Sequence, residues 1–453
     1  MAISLVQKYN VPGPRYTSYP TVPYWDDSQF SVAAWRDTYI RSFRESNTSE
    51  GISLYIHLPF CESLCTFCGC HKRITKRHDV EDTYIQAVLK EWALYCATFP
   101  ETPNIREIHL GGGTPTFFSP ENLEILINGI LSRANRMDNY EFSFEGHPNN
   151  TTRAHLVKLY ELGFRRVSFG VQDYSPAVQK AIHREQPFHN VAKVTFWAKE
   201  IGYTSISHDL VFGLPFQKLE DVIDTIEKTK SLAPHRLAFY SYAHVPWIKG
   251  NGQRGFKDED VPKDQKKRQL YEVGKMMLEK NGFYEIGMDH FAIEDDSMYD
   301  AFQNGKLHRN FMGYTSSKTQ LMIGLGVSSI SDSWYAFAQN EKTLEDYYAR
   351  LEQNELAVFK GHILTHEDLI IRRHILNLMC RFQTKWDNEE QFPEQERIIA
   401  SLREIEKDGL LKISDDGITV TEKGKPFVRN ICMAFDLRLK RKAPETQLFS
   451  MTI

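Results

Sequence analysis

Four cysteines fall within ten residues: Cys61, Cys65, Cys68 and Cys70, in the text HLPFCESLCTFCGCHKR. The CxxxCxxC spacing brings three thiols onto one loop. Thiolates are the usual protein ligands of iron–sulfur clusters and of zinc. Structural zinc sites normally draw paired ligands from two separated segments. No second CxxC segment accompanies this one, and His71 stands at no zinc-finger spacing. The pattern therefore favours an iron–sulfur cluster.

Three thiolates on a four-iron cluster leave one iron open. An open iron can chelate the amino and carboxylate groups of S-adenosylmethionine, and an electron passed to the sulfonium then releases a 5′-deoxyadenosyl radical. The competing reading makes Cys70 a fourth ligand of a closed electron-transfer cluster, but Cys70 follows Cys68 by only two residues and reaches the same cubane poorly. Two neighbours support the open site. Phe67 precedes the third cysteine and can pack an adenine. The turn Gly111-Gly112-Gly113-Thr114-Pro115-Thr116 follows the next expected strand, where glycine permits close backbone approach to a ligand.

These residues need a frame. Short β-rich runs occur at 53–57, 107–110, 141–145, 166–172, 206–212 and 236–243. Helical patterns separate them, covering 79–96 and starting near Ser119-Pro120, Thr152, Ser175, Asn190 and Lys218. Strands alternating with helices predict a parallel sheet of right-handed βαβ units. A complete eight-unit barrel needs about 250 residues, so the six units counted here predict an α/β fold of the incomplete (β/α)6 barrel type over residues 51–250. Sites in such folds lie beyond the C-terminal strand ends, where the cysteine loop and the glycine turn fall. Residues 1–50, rich in Pro, Tyr and Trp, predict an ordered arm, with 46–51 as a linker. Residues 251–363 predict a barrel extension that covers substrate. Residues 364–453 predict a small, mostly helical, winged-helix-like domain.

The 453 residues carry a net charge of −4, which does not favour nucleic-acid binding. No apolar run approaches the roughly 18–20 residues of a membrane span, and no targeting segment opens the chain. The expectation is a cytoplasmic protein, monomeric for want of a long apolar stripe. Cys96, Cys380 and Cys432 read as small buried hydrophobes.

The cysteine motif and GGGTPT together resemble the radical S-adenosylmethionine superfamily. With Cys70, the arm PGPRYTSYPT and the segments MDHFA, HRNFMGYT, GLGVSSIS and RNICMAFD, the chain is similar to the oxygen-independent coproporphyrinogen III oxidase family from about residue 12 onward. That resemblance implies a 4Fe-4S cluster on Cys61, Cys65 and Cys68, two bound S-adenosylmethionine molecules, and coproporphyrinogen III as substrate. Two of its four propionates would become vinyl groups, giving protoporphyrinogen IX in heme biosynthesis. A flavodoxin- or ferredoxin-like reductant and an electron acceptor are implied as partners. The resemblance assigns cofactor contacts to Tyr55, Phe67, Gly112, Gly113, Thr114, Glu145, Gln172, Arg184, Asp209, Ala243 and Ile330, and catalytic roles to Tyr55 and Cys70. The chain departs from the family at Glu145-Gly146-His147, where an aspartate two residues after the glutamate is common, at His208, and at Trp247. These changes are expected to crowd the strand ends. A tetra-anionic substrate calls for cations, with Arg15, Lys72, Arg73 and Arg309 as candidates and His71 and His308 as helpers. The alternatives are a related heme chaperone or heme-modifying enzyme, which would lack the Arg15-Tyr16-Thr17 arm and the fourth cysteine, and an iron–sulfur regulator using the C-terminal domain on DNA.

Overall fold

The computed structural model describes residues 4–245, 253, 256–386 and 394–452; Trp247 and the expected boundary at 250 lie outside them. Six parallel strands appear where the alternation places them: β1 Ile52–Leu58, β2 Asn104–Gly112, β3 Asn135–Gly146, β4 Phe164–Gln172, β5 Ser205–Phe212 and β6 Arg236–Ser241. The last of these stops two residues short of Ala243.

Alternation sorts each strand into two faces. Ile52, Leu54, Ile56 and Leu58 of β1, Ile108 and Leu110 of β2, and Phe142 and Phe144 of β3 are fully buried in one apolar core with the covering helices Val80–Cys96, Pro120–Leu131 and Arg153–Glu161. The intervening residues are polar: Ser53, Tyr55 and His57; Glu107 and His109; Ser143 and Glu145; Ser168; Ser207 and Asp209. The sheet therefore has a dry outer face that holds it together and a polar inner face free for chemistry.

The sheet extends further than the six expected units. The region after residue 251 supplies β7 Tyr284–Gly287 and β8 His290–Ala292 on one side. On the other side it supplies β9 Leu321–Leu325, β10 Ile330–Asp332, β11 Ala336–Asn340 and β12 Val358–Ile363. The order is β12-β11-β10-β9-β1-β2-β3-β4-β5-β6-β8-β7. β9 runs parallel to β1, pairing Tyr55 with Gly324, and becomes a seventh parallel strand. The outermost strands pair antiparallel.

The first fifty residues are more regular than their breakers imply. Ser31 caps a helix over Val32–Ser46 by accepting from the Ala34 N–H, and Trp35, Tyr39 and Phe43 pack fully buried into the main core. The expected linker is a pinned turn. The Ser46 carbonyl accepts from the N–H groups of Ser49, Glu50 and Gly51, and the Asn47 side chain bonds Thr102 and Asn104. Tyr16 and Tyr19 are buried not against the sheet but in a second core with Ile371, Leu378 and Ile431, and the Tyr16 hydroxyl donates to Asp436. That second core also holds a three-stranded antiparallel sheet of Gln383–Lys385, Gly417–Val420 and Leu411–Ser414, with helices His366–Arg381 and Gln395–Lys407. Cys380 and Cys432 are buried, whereas Cys96 is only partly so. No helix among the described residues is long and apolar enough to cross a membrane.

Candidate active site

The cysteine loop begins where β1 ends and is tied down along its length. Phe60–Cys61 pairs with Arg73–Ile74, the Arg73 N–H donates to the Pro59 carbonyl at 2.8 Å, and the Thr75 N–H donates to the Cys61 carbonyl at 2.9 Å. Midway, the Thr66 N–H donates to the Ile182 carbonyl at 3.0 Å and its hydroxyl to the Ala181 carbonyl at 3.1 Å. A flexible stretch of sequence is thereby held at both ends and at its centre.

The glycine turn is stitched to the same loop. Gly113 and Thr114 donate to the Leu58 and Phe60 carbonyls at 2.8 and 3.0 Å. A Cβ on Gly113 would lie 2.5 Å from the Pro59 oxygen, and one on Gly112, whose φ is +115°, would meet the His57 ring at 2.7 Å. Glycine is thus required by the approach of the turn to the end of β1, and Gly112 and Gly113 also line the cavity where the sequence expects a ligand contact. The Thr114 hydroxyl lies 3.3 Å from Cys61 Sγ.

A cavity of about 390 Å³ opens beyond the strand ends, and thirteen of the fifteen expected positions line it. They are Cys61, Cys65, Phe67, Cys68, Cys70, Gly112, Gly113, Thr114, Glu145, Gln172, Arg184, Asp209 and Ala243. Tyr55 and Ile330 do not. Tyr55 sits one inner-face position below His57, its hydroxyl 3.0 Å from His57 Nδ1 and its ring stacked on His109. Ile330 opens β10, its backbone packed against Gly324.

Neither strand-end carboxylate pairs with an arginine or lysine among the described residues. Glu145 faces His109 Nε2 at 3.4 Å and accepts from the Gly112 N–H at 3.3 Å. Asp209 accepts from the Ser168 hydroxyl at 2.8 Å, and burial pushes its carboxyl up to about 7. Arg184 follows the helix Pro176–Ala181 rather than riding on it. Its guanidinium donates to the Gly170 carbonyl at 2.6 Å and reaches to 3.8 Å from Cys65 Sγ, so it is part of the site wall and not a solvated charge.

The thiols fit a multi-iron group. Burial raises the Cys61 thiol to about 11. Hydrogen bonding by Cys70, aided by Lys72 and Arg184, draws Cys68 down to about 6. Lys72 donates to the Cys68 and Cys70 carbonyls at 3.1 and 3.3 Å; it helps hold the loop and also lines the cavity. No three His, Cys, Asp or Glu side chains among the described residues converge on a single-ion site. Three soft donors spread along one wall of a cavity suit a cluster of several irons, and the cations beside them favour thiolate.

Several inner-face residues escaped the sequence reading. His57 donates or accepts at both ring nitrogens, to the Tyr55 hydroxyl and the His71 carbonyl at 2.9 Å, and burial lowers its ring to about 4. His109, Ser168 and Tyr240 belong to the same face; their signal was the polar alternation. His208 turns to the outer face, 2.9 Å from the Thr195 hydroxyl, and does not crowd the strand end. Of the expected helpers, His71 contributes its carbonyl, and His308 is buried with its ring held down to about 3.

The radical SAM superfamily model matches residues 55–229, the segment that carries the loop, the turn and both carboxylates. The oxygen-independent coproporphyrinogen III oxidase of Escherichia coli K12 is 37% identical over 460 residues, covering 100% of this chain and 98% of that protein. The protein of that name from Synechocystis is 35% identical, covering 99% and 97%. A solved structure of coproporphyrinogen III oxidase from Escherichia coli superposes with a TM-score of 0.87 at 35% identity, covering 93% of this chain and 97% of that one. Fold and site define a radical SAM protein. Within that class, the chain belongs to the oxygen-independent coproporphyrinogen III oxidase family.

Proposed function

We propose that this chain performs the oxygen-independent decarboxylation of two propionates of coproporphyrinogen III, giving protoporphyrinogen IX in heme biosynthesis. The observation that carries the reading is the pinned loop that presents Cys61, Cys65 and Cys68 to a cavity walled by the glycine turn, Glu145 and Asp209, in a chain related over its full length to proteins of that name. Those thiols would hold a 4Fe-4S cluster, which with S-adenosylmethionine bound would supply the radical chemistry for the two reacting propionates.

The chain's own residues bind and orient. Glu145 and Asp209, free of arginine and lysine, are available to hydroxyl and amino groups. Gln172 and Arg184 offer donors to a carboxylate, Phe67 offers an apolar face, and the Ala243 end of the cavity closes it. We assign two S-adenosylmethionine molecules to this space and its margins. Cys70, on the rim, is the group placed to meet substrate. Tyr55 acts through His57 and His109 as a positioning residue. The division into arm, sheet, cover and C-terminal part is part of this proposal; the separate buried clusters of the sheet and of the C-terminal part support those two members. We read the three-stranded sheet and its helices as a winged-helix-like cover rather than a DNA reader. A monomer in the cytoplasm, reduced by a flavodoxin- or ferredoxin-like donor, completes the proposal. Feeding coproporphyrinogen III to the reconstituted protein, anaerobically with dithionite, tests it: a product two carboxyl groups lighter is expected. An untouched tetrapyrrole alongside tight heme binding would favour the chaperone reading.

A further inference from the structure

Beside the main cavity lies a second hollow of about 180 Å³, walled in part by Arg15, Tyr240, Asp289, His290 and Arg309. Tyr240 lines both spaces. The charges of the hollow do not balance. Arg15 Nη2 donates to Asp289 Oδ2 at 2.5 Å. Arg309, 5% exposed, donates from Nε to the Tyr16 carbonyl at 3.3 Å and from Nη2 to the Arg15 carbonyl at 3.2 Å. Its Nη1 is buried without a hydrogen-bond partner, as is Nδ1 of His290. Burial and the neighbouring arginines lower the His290 ring to about 3, so it adds no charge. Two guanidinium groups against one carboxylate leave one positive charge over. A buried, unpaired guanidinium donor is costly and is most strongly satisfied by a carboxylate.

We infer that this hollow is a carboxylate subsite in which Arg309, with Arg15 beside it, anchors one propionate of the tetrapyrrole while the ring system extends past Tyr240 toward the cysteine loop. The inference rests on the function proposed above and deepens it. The arm acquires a purpose from it: the carbonyls of Arg15 and Tyr16 aim the Arg309 guanidinium, so the first residues of the chain take part in substrate recognition. S-adenosylmethionine also carries a carboxylate, and the test separates the two sources.

The full-length, anaerobically reconstituted protein is titrated with coproporphyrin III, the stable oxidised form of the ring system, and separately with S-adenosylmethionine. Arg309→Met should weaken coproporphyrin binding by about tenfold or more and leave affinity for S-adenosylmethionine unchanged, with Arg309→Lys recovering part of the loss. Asp289→Asn, which keeps the arm contacts of Arg309, should tighten coproporphyrin binding by freeing Arg15. Unchanged coproporphyrin affinity in a folded Arg309→Met protein overturns the inference, as does an equal loss of S-adenosylmethionine affinity, which would give the hollow to the cofactor. Should Arg309→Met fail to fold, unchanged affinity in Asp289→Asn overturns it alone. Failure of the parent reading is seen without any variant, as native protein that leaves coproporphyrinogen III unconverted.

Discussion

At the scale of single residues, the division of labour among the cysteines makes the sharpest claim. All four cysteines line the cavity; on the proposed reading Cys61, Cys65 and Cys68 would hold the cluster and Cys70 would not be a ligand. Cys65→Ala should abolish both bound iron and cleavage of S-adenosylmethionine to 5′-deoxyadenosine, whereas Cys70→Ala should keep the paramagnetic resonance spectrum of the reduced cluster. A Cys70→Ala protein that loses its cluster would restore Cys70 as a fourth ligand. A second residue-scale prediction concerns Glu91, fully buried in the helix Val80–Cys96. It accepts from the Gly326 N–H, the Asn340 amide and the Tyr347 hydroxyl at 2.6–2.8 Å. Burial nevertheless raises its carboxyl to about 7. Because the folded protein holds this proton more tightly than the unfolded chain, its contribution is fully present below pH 4.5 and is lost as pH rises through 7. The loss amounts to about 3 kcal/mol. Glu91→Gln should remove that slope from the pH dependence of the melting temperature; a slope that persists would assign it to other groups.

At the scale of elements, the strands were legible because short β-rich runs alternate with helical patterns, and the cofactor contacts were legible through the family resemblance, most of them at strand ends. What the sequence concealed has physical causes. The helix Val32–Ser46 follows a run of prolines and aromatics whose breakers masked its period. β9 to β12 looked irregular because they are short and GLGVSS bends the chain from β9 into β10. Tyr55, to which only the family resemblance assigns a cofactor contact, stands on the inner face one position below His57. The unpaired Nη1 of Arg309 depends on contacts with Arg15 and Tyr16, almost three hundred residues away in sequence, and no local pattern announces it. The glycine turn gives the element-scale prediction. A methyl group at 113 would drive into the Pro59 carbonyl, which is backbone and cannot step aside. Gly113→Ala should therefore cost about 1–3 kcal/mol and lower iron occupancy after reconstitution. Native stability by denaturant titration with full iron content would show that the turn and loop are not rigidly joined.

At the scale of the whole molecule, the two cores meet through the arm. Its helix belongs to the sheet, Tyr16 and Tyr19 belong to the C-terminal core, and its backbone carries Arg309 between them. The Arg429 guanidinium extends this arrangement, donating to the Pro14 carbonyl at 2.9 Å. Truncating one fully buried aromatic of this joint should be felt globally. Tyr16→Ala is expected to cost about 3–5 kcal/mol, read as a shift of the denaturation midpoint, and to weaken tetrapyrrole binding more than S-adenosylmethionine binding. Equal weakening of both would mean that the arm supports the fold without favouring the substrate side.

The most direct test of the central claim is to give the reconstituted, reduced protein coproporphyrinogen III and S-adenosylmethionine under strict anaerobiosis and to follow tetrapyrrole mass and 5′-deoxyadenosine together. The account predicts a tetrapyrrole two carboxyl groups lighter, with nucleoside formed in step, and neither product from Cys65→Ala. A cluster whose spectrum ignores added S-adenosylmethionine, or nucleoside formed while the tetrapyrrole mass stays constant, would contradict it.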